Sequence, residues 1–210
     1  MTWFERDDHY KVEFVLSFVQ ISLIRVNEDL AMRLGISGSF STGKTRLCEA
    51  VAEELIRRGV PITIVAETAR EVISEGFPLD SGVTLDSVLR CATIQLQKTL
   101  TFSSSLNIIA DRTFLDLYAF LKLEECAEIP DQLKFLVGQL MIVESERIDL
   151  RVYLPVEFEI VSDGIRANST EYQHRFDAKI REQLDVAGAA YLEVSGTLEE
   201  RKNKVASLFG

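Results

Sequence analysis

The chain has 210 residues, of which 47% are hydrophobic and 27% charged, and its formal net charge is −10 at pH 7. These values are typical of one globular domain with a full core, and they exclude a disordered chain. The acidic balance argues against a nucleic-acid polymer as a partner, because a phosphate backbone requires a basic face.

Residues 1–31 precede the first regular element that we predict, and their apolar residues fit a strand and a helix equally well. The most apolar stretch, Val12 to Val26, includes Glu13 and Arg25 and is too polar to span a bilayer. Acidic residues precede it and no small-residue cleavage site follows, which argues against a signal peptide. We expect an N-terminal extension over residues 1–31, one domain over residues 32–210 and no membrane partner.

The segment from Gly38 to Thr45 fits G-x-x-x-x-G-K-[ST], the phosphate-binding loop of nucleoside triphosphatases and kinases. Its context agrees, because a short apolar strand, Arg33–Ser37, precedes it and apolar positions at helical spacing follow. Lys44 can reach the β- and γ-phosphates of a nucleotide, and the Thr45 hydroxyl can ligate Mg²⁺. The residues predicted to contact the nucleotide are Gly38, Ser39, Phe40, Ser41, Thr42, Gly43, Lys44, Thr45 and Arg46.

Predicted strands and helices alternate along the rest of the chain. The strands are Arg33–Ser37, Pro61–Ala66, Leu106–Asp111, Ile148–Leu154 and Tyr191–Val194. After the helix that follows the loop, the helices are predicted near Glu67–Ile73, Leu85–Phe102, Thr113–Glu125, Asp131–Glu146, Arg175–Ala187 and Leu198–Phe209. This alternation predicts an α/β fold of three layers, with a mostly parallel sheet of about five strands and helices on both faces. Ligands of such sheets bind at the carboxyl ends of the strands.

Two acidic residues end predicted strands at that edge of the sheet. Asp111 follows the third strand, where a nucleotide-binding sheet places a carboxylate near Mg²⁺, and Arg112 could clamp an anionic or hydroxylated substrate. Glu67 ends the second strand and could orient or deprotonate an acceptor hydroxyl, with Arg70 one turn further along. The alternatives are a helix-capping aspartate and a surface ion pair.

Two later polar segments could contact a bound nucleotide. Asp163-Gly164-Ile165-Arg166 suits a lid that closes over the triphosphate, with Arg166 stabilising the transferred phosphoryl group; Arg175 could be a helix surface residue only. The loop from Ser195 could pass the base of a nucleotide, and Thr197 with Glu200 predicts a helix capping box.

Three cysteines, Cys48, Cys91 and Cys126, are widely spaced and form no C-x-x-C or Cys/His pattern. We expect buried free thiols in a protein of the reducing cytoplasm, and no structural metal site. The stripe Phe114, Leu117, Phe120 and Leu121 is predicted to be core rather than binding site.

Taken in order, the GxxxxGKT loop, Glu67-x-x-Arg70, Asp111-Arg112 and Asp163-Gly-x-Arg166 resemble the NadR-type ribosylnicotinamide kinase domain and related small P-loop proteins grouped as AAA-like ATPase/kinase domains. The chain is more distantly similar to thymidylate and deoxynucleoside kinases. The resemblance covers roughly residues 32–210 and implies a P-loop kinase-like domain. The extension over residues 1–31 is a departure from that pattern.

The resemblance implies phosphoryl transfer from ATP to a small-molecule acceptor, with Mg²⁺ as cofactor. Lys44 and Thr45 would hold phosphate and metal, Asp111 would be the Mg²⁺-linked carboxylate or base, and Arg166 would lie in the lid. The acceptor stays open between a nucleoside, a nucleotide and a nicotinamide riboside-like compound, because no aromatic pair that would sandwich its ring is evident from the sequence.

Other P-loop functions remain as alternatives. An ATP-hydrolysing AAA-type regulator usually carries a second acidic residue after the strand-three aspartate, whereas Arg112 follows Asp111 here. A GTP-dependent switch would need a guanine-reading Asn-Lys-x-Asp motif, and the sequence has none. A protein that only binds nucleotide is disfavoured by the intact Lys44, Thr45 and Asp111.

Overall fold

The computed structural model describes residues 31–79, 82–102, 107–157, 170–186 and 190–209. Within these ranges the strands are β1 (Arg33–Gly38), β2 (Thr63–Val65), β3 (Ile108–Asp111), β4 (Leu150–Leu154) and β5 (Tyr191–Glu193). The helices are α1 (Lys44–Arg57), α2 (Thr68–Ser74), α3 (Leu85–Thr99), α4 (Phe114–Phe120), α5 (Asp131–Ser145), α6 (Thr170–Val186) and α7 (Leu198–Ala206). Short 3₁₀ turns cover Glu124–Cys126 and Ser207–Phe209.

The five strands form one parallel sheet in the order β2-β3-β1-β4-β5. Strand β1 lies in the middle, so the chain leaves it toward one side for β2 and β3 and toward the other for β4 and β5. A doubly wound sheet opens a crevice where the direction of winding reverses, beyond the carboxyl ends of the strands. The crevice therefore lies directly after β1, where the phosphate loop begins.

Helices cover both faces of the sheet, which confirms the predicted three-layer α/β fold. One apolar cluster joins α1 and α7 to the face that carries Leu34 and Ile36 of β1. A larger cluster joins α2 through α6 to the opposite face, where it includes Tyr153 of β4. Among the described residues, no helix combines the length and the apolar character needed to cross a bilayer.

Several boundaries differ from the sequence-based predictions for clear physical reasons. Strand β2 was expected to be buried, but Thr63 and Ile64 are exposed because β2 comes first in the strand order and has β3 alone as its neighbour among the described residues. Helix α6 begins at Thr170, earlier than the predicted Arg175, because Tyr172 and Phe176 share one buried face. The helix predicted over Thr113–Glu125 is shorter in the structure, where α4 ends at Phe120 and a 3₁₀ turn covers Glu124–Cys126.

Candidate functional site

The loop from Gly38 to Thr45 joins the buried end of β1 to the first turn of α1. A Cβ atom at Gly38 would lie 2.7 Å from the backbone oxygen of Leu154, so the loop root can approach β4 only with glycine. Gly43 takes a left-handed conformation, with φ +86°, at the N-cap of α1. No side chain caps α1, whereas threonines cap α3, α4 and α7. The first N–H groups of α1 are thus left for an anion.

Lys44 lies in the first turn of α1 and is buried. Its ammonium donates hydrogen bonds to the backbone oxygen of Ser39 and, over 3.2 Å, to the Thr42 hydroxyl. Burial lowers the pKa of Lys44 from 10.5 to about 7, and the positive charge of Arg112 lowers it further. The Lys44 side chain therefore folds back onto the loop that we predicted to bind phosphate and is hydrogen-bonded to it.

Thr45 lies in the first turn of α1 and Asp111 at the end of β3, and their side chains meet beside the loop. The Thr45 hydroxyl donates to Asp111 Oδ2 over 2.5 Å. The other oxygen, Asp111 Oδ1, is buried and has no hydrogen-bond partner within the described residues. Burial raises the pKa of Asp111, against the opposing effects of Lys44 and of the Thr45 hydroxyl. A hydroxyl and an orphaned carboxylate oxygen form a donor set that suits Mg²⁺, which prefers oxygen ligands.

Glu67 ends the loop after β2 and is almost fully buried. Its Oε1 accepts a hydrogen bond from Arg112 Nε over 2.8 Å, and its Oε2 accepts one from Arg70 Nε over 3.0 Å. The Arg70 side chain is 53% exposed, whereas those of Arg112 and Glu67 are 10% and 6% exposed. Glu67 and Arg70 therefore lie together, as the sequence indicated. Glu67 also forms a buried ion pair with Arg112.

Arg112 is a bridge between the phosphate loop and the acidic residues behind it. Its backbone is left-handed, with φ +76°, a conformation that costs a non-glycine residue energy and often marks functional sites. Its Nη1 donates to the backbone oxygen of Gly38 over 3.0 Å and to Asp116 Oδ1 over 3.3 Å. Two carboxylates thus already neutralise this guanidinium, so it is less available as an anion clamp than the sequence suggested.

Asp116 belongs to the site although we did not predict it. Its Oδ2 accepts hydrogen bonds from the Ser37 hydroxyl and from the Thr113 backbone N–H, and its Oδ1 accepts one from the Gly38 N–H. Asp116 and Thr113 form the capping box of α4, which fixes the carboxylate directly under the end of β1. The spacing Thr113-x-x-Asp116 was the available sequence signal, because it is that of a capping box.

A pocket of about 620 Å³, counting the space at its open mouth, adjoins the phosphate loop. Its polar end is formed by Glu67, Arg112 and Asp116. Its walls include four aromatic side chains, those of Phe40, Phe120, Tyr172 and Phe176. Aromatic rings together with a few converging polar groups are typical of small-molecule sites.

The aromatic wall is ordered by stacking around Phe40 of the phosphate loop. The Phe40 ring centroid lies 4.9 Å from that of Phe176 and 5.2 Å from that of Tyr172, whose plane is tilted by 7° from that of Phe40. The spacing of Tyr172 and Phe176, four apart on α6, was a signal for one aromatic face that the sequence analysis missed. Phe120 and Leu117, predicted as core, pack in the core and also line the pocket.

The remaining predicted residues lie outside this group or outside the described ranges. Arg46 is exposed on α1. Arg166 and its segment, Asp163-Gly164-Ile165-Arg166, lie outside the described residues. Arg175 pairs with Glu125 over 2.5 Å on the surface. Thr197 and Glu200 form the predicted capping box of α7.

The three cysteines are buried and free. Burial raises the pKa of the Cys91 and Cys126 thiols to about 12. Within the described part of the chain, no group of three or more His, Cys, Asp or Glu side chains could hold a metal ion by themselves. A cation at Thr45 and Asp111 would accordingly need ligands from a bound molecule or from water.

Comparisons with known proteins agree with this fold. A family model described as AAA domain matches residues 33–201. A crystal structure of NadR protein in complex with NAD and AMP-PNP has a TM-score of 0.63 and 21% identity, and covers 85% of this chain and 48% of the other. A crystal structure of NadR protein in complex with NR has a TM-score of 0.65 and 23% identity, covering 85% and 50%.

At these identities the NadR structures establish a shared fold. The chain spans about half the length of those NadR chains. No curated protein matches the chain at a significant level.

Proposed function

The chain belongs to the AAA domain family, and on that premise we propose that it transfers the γ-phosphoryl group of ATP to a small acceptor, with Mg²⁺ as cofactor. The acceptor is a nucleoside, a nucleotide or a nicotinamide riboside-like compound. The observation that carries this proposal is the aromatic pocket that opens directly beside the phosphate loop. A pocket with converging polar groups beside the phosphate loop offers a binding place for a second reactant.

The position of the pocket supports transfer because two shared residues join it to the loop. Phe40 belongs to the phosphate loop and to the pocket wall, and Arg112 donates to the Gly38 backbone oxygen while lining the pocket. An acceptor bound in the pocket would therefore lie beside the loop that is proposed to hold the triphosphate. Holding two reactants in this way supplies much of the barrier lowering in phosphoryl transfer.

The donor side would be held by the loop and by α1. Lys44 would exchange its bonds to Ser39 and Thr42 for phosphate oxygens, and the N–H groups at the start of α1 would surround the same phosphates. Thr45 and Asp111 would hold Mg²⁺, which neutralises charge on the β- and γ-phosphates when bound. Arg166, from outside the described residues, is assigned to the lid on the sequence pattern.

The acceptor side would be organised by the buried acidic group. Glu67 is tied to Arg112 and Arg70, so its carboxylate is fixed in direction and would orient the acceptor hydroxyl. The Asp111 oxygen without a partner is the other candidate for accepting the hydroxyl proton. The complexes with NR and with NAD and AMP-PNP belong to NadR protein, and they make nicotinamide riboside the first acceptor to test.

Consumption of ATP with Mg²⁺ should be measured against a panel of nucleosides, nucleoside monophosphates and nicotinamide riboside, together with a reaction without acceptor. The Lys44→Ala variant is the control for contaminating activity. Turnover that rises sharply with one compound supports the kinase and names its substrate. Turnover that is independent of every compound, and well above that of Lys44→Ala, contradicts it.

An ATP-hydrolysing regulator is the second candidate, because the family match itself is to an AAA domain. Against it, the residue after Asp111 is Arg112, which is engaged with Glu67 and Asp116 and cannot activate water. The reaction without acceptor separates the two candidates.

A further inference from the structure

The backbone carbonyls of the phosphate loop are held from outside by side chains from distant parts of the chain. A loop whose N–H groups converge on phosphate must point its carbonyls away from it. Arg112 donates to Gly38 O over 3.0 Å, Gln173 Nε2 donates to Phe40 O over 2.7 Å, and Arg201 Nη1 donates to Thr42 O over 2.7 Å. The shape of the loop is therefore set by these three donors as well as by its own glycines.

Arg201 differs from the other two donors because it comes from the opposite face of the sheet. It lies on α7, separated from Thr42 by 159 positions, and its side chain is 4% exposed. A Cβ atom at Gly43 would lie 3.9 Å from Arg201 Nη1, so the guanidinium is directly behind the loop. It is not part of the acceptor pocket, which lies beside α4 and α6.

Glu157 holds the other end of this guanidinium. Arg201 Nη2 donates to Glu157 Oε2, and the Glu157 carboxylate also accepts from the backbone N–H of Gly196 over 3.0 Å. Glu157 follows β4 and Gly196 follows β5, so both lie at the carboxyl edge of the sheet. One ion pair thus joins the phosphate loop, the segment after β4 and the loop after β5.

The geometry of this pair favours arginine over lysine. A guanidinium presents two terminal nitrogens in one rigid plane and can serve a carbonyl and a carboxylate at once, which a lysine head on a flexible stem does less well. A donor placed behind a phosphate loop also costs no reorganisation when the nucleotide binds.

We infer that Arg201, positioned by Glu157, is a positioning residue for the donor nucleotide: it holds the phosphate loop in the conformation that binds the triphosphate. The inference rests on the proposed function only in that the loop binds a nucleoside triphosphate; it does not depend on transfer to an acceptor. Arg201 touches neither the reacting atoms nor the acceptor in this assignment.

The test is direct binding of ATP with Mg²⁺ to the folded full-length chain, measured calorimetrically well below the melting temperature of each variant. Arg201→Met should raise the Kd for ATP about tenfold or more, the value expected for a lost charged hydrogen bond. Arg201→Lys should recover part of that loss, and Glu157→Gln should give a smaller increase. Lys202→Gln, which removes a surface ion pair with Glu199 from the same helix, is the matched control and should keep the wild-type Kd.

A residue that only fastens α7 to the domain would behave differently. Its removal would lower the melting temperature and leave the Kd of the folded fraction unchanged, and that result for Arg201→Met would overturn the inference. If Arg201→Met does not fold, Arg201→Lys and Glu157→Gln decide the question by the same criterion.

Failure of the kinase proposal is separable from failure of this one. If the wild-type protein binds ATP but its turnover does not depend on any acceptor, the kinase proposal is contradicted. The Kd values of the variants then still decide the inference about Arg201. Wild-type protein that binds no nucleoside triphosphate overturns both.

Discussion

The Thr45 hydroxyl donates to the Asp111 carboxylate over 2.5 Å, and the second Asp111 oxygen is buried without a partner among the described residues. A buried polar atom without a hydrogen-bond partner is costly and uncommon in native proteins, and a bound ion is one of the features that account for it. This pair is therefore the position that we propose for the cation.

Asp111→Asn should lower the affinity for Mg²⁺ in the presence of ATP by about 100-fold, because an amide removes the negative charge while keeping the shape. The measurement is a Mg²⁺ titration of turnover or of nucleotide binding. Thr45→Ser retains the hydroxyl and should stay close to wild type. Equal Mg²⁺ dependence in Asp111→Asn and wild type would contradict the assignment of the cation site.

Lys44 predicts a pH dependence of nucleotide binding. Burial and the neighbouring Arg112 lower its pKa to about 7, so the free protein loses this charge above neutral pH, and ATP binding must restore it by taking up a proton. The Kd for ATP should rise by up to about tenfold per pH unit between about pH 7 and pH 9. Lys44→Arg stays charged throughout this range and should lose that slope. A wild-type slope equal to that of Lys44→Arg would show that Lys44 does not titrate there.

The same shift affects the stability of the nucleotide-free protein. Because the pKa of Lys44 is lower in the folded chain, about 7, than its ordinary value of 10.5, the unfolded chain binds more protons between these two pH values. The contribution of Lys44 to the free energy of unfolding must then increase as the pH rises through that window. Denaturant unfolding of the wild type and of Lys44→Met across this pH range isolates the contribution of Lys44. As the pH rises, the wild type should gain stability relative to the variant.

Glu67→Gln should reduce acceptor-dependent turnover more than it reduces ATP binding. The substitution leaves Arg112 with Asp116 as its remaining carboxylate partner among the described residues, and breaking such a buried pair costs about 3 kcal/mol of stability. Arg70→Gln removes the exposed partner of the same carboxylate and is the control, with a small effect on both quantities. Kinetic constants for ATP and for acceptor decide the question, since equal losses in both would assign Glu67 a structural role alone.

Phe176→Leu should raise the KM for the acceptor by about three- to tenfold, the change in affinity expected when one aromatic contact is lost. The KM for ATP should stay unchanged. Phe176 lines the pocket and stacks on Phe40. Phe102→Leu is the matched control, because Phe102 is equally buried at 2% exposure but packs in a separate cluster away from the pocket. Similar effects of both substitutions on the acceptor KM would argue that the aromatic wall is only core.

The parts of the site that the sequence predicts are those defined by local pattern and strand order. The spacing of Gly38, Gly43 and Lys44 identifies the phosphate loop, and the rule that ligands bind at carboxyl strand ends places Glu67 and Asp111 beside it. Parallel pairing of β1 with β3 brings Asp111 level with Ile36, next to the loop. Short apolar strands alternating with helices were sufficient for the three-layer fold.

The parts that were missed depend on contacts between distant positions. Nothing in the segment around Arg112 predicts a left-handed backbone or burial against Glu67, which is 45 positions away. The Arg201 bond to Thr42 spans most of the domain and has no local signature. The aromatic wall was visible as a spacing on α6, but its relation to Phe40 follows only from how α6 packs against the loop.

Gly38→Ala tests whether close approach at the root of the loop, rather than backbone flexibility, is what the glycine supplies. The added Cβ would lie 2.7 Å from the Leu154 backbone oxygen and 3.1 Å from the Thr42 hydroxyl, and neither a strand backbone nor the loop can yield without moving β1 from β4. We expect a stability loss of about 1–3 kcal/mol, the usual cost of overpacking, together with an increased Kd for ATP because the displaced loop no longer converges its N–H groups.

Gly59→Ala is the matched control for that experiment. Gly59 has φ +81° after α1 and nothing within 4 Å of an added Cβ, so alanine there adds backbone strain without a clash. Its stability should fall by about 1 kcal/mol, and its Kd for ATP should stay at the wild-type value, because the strain is at the far end of α1 from the phosphate loop. If Gly38→Ala loses stability while its Kd also stays at the wild-type value, the packing of β1 on β4 does not control the geometry of the loop.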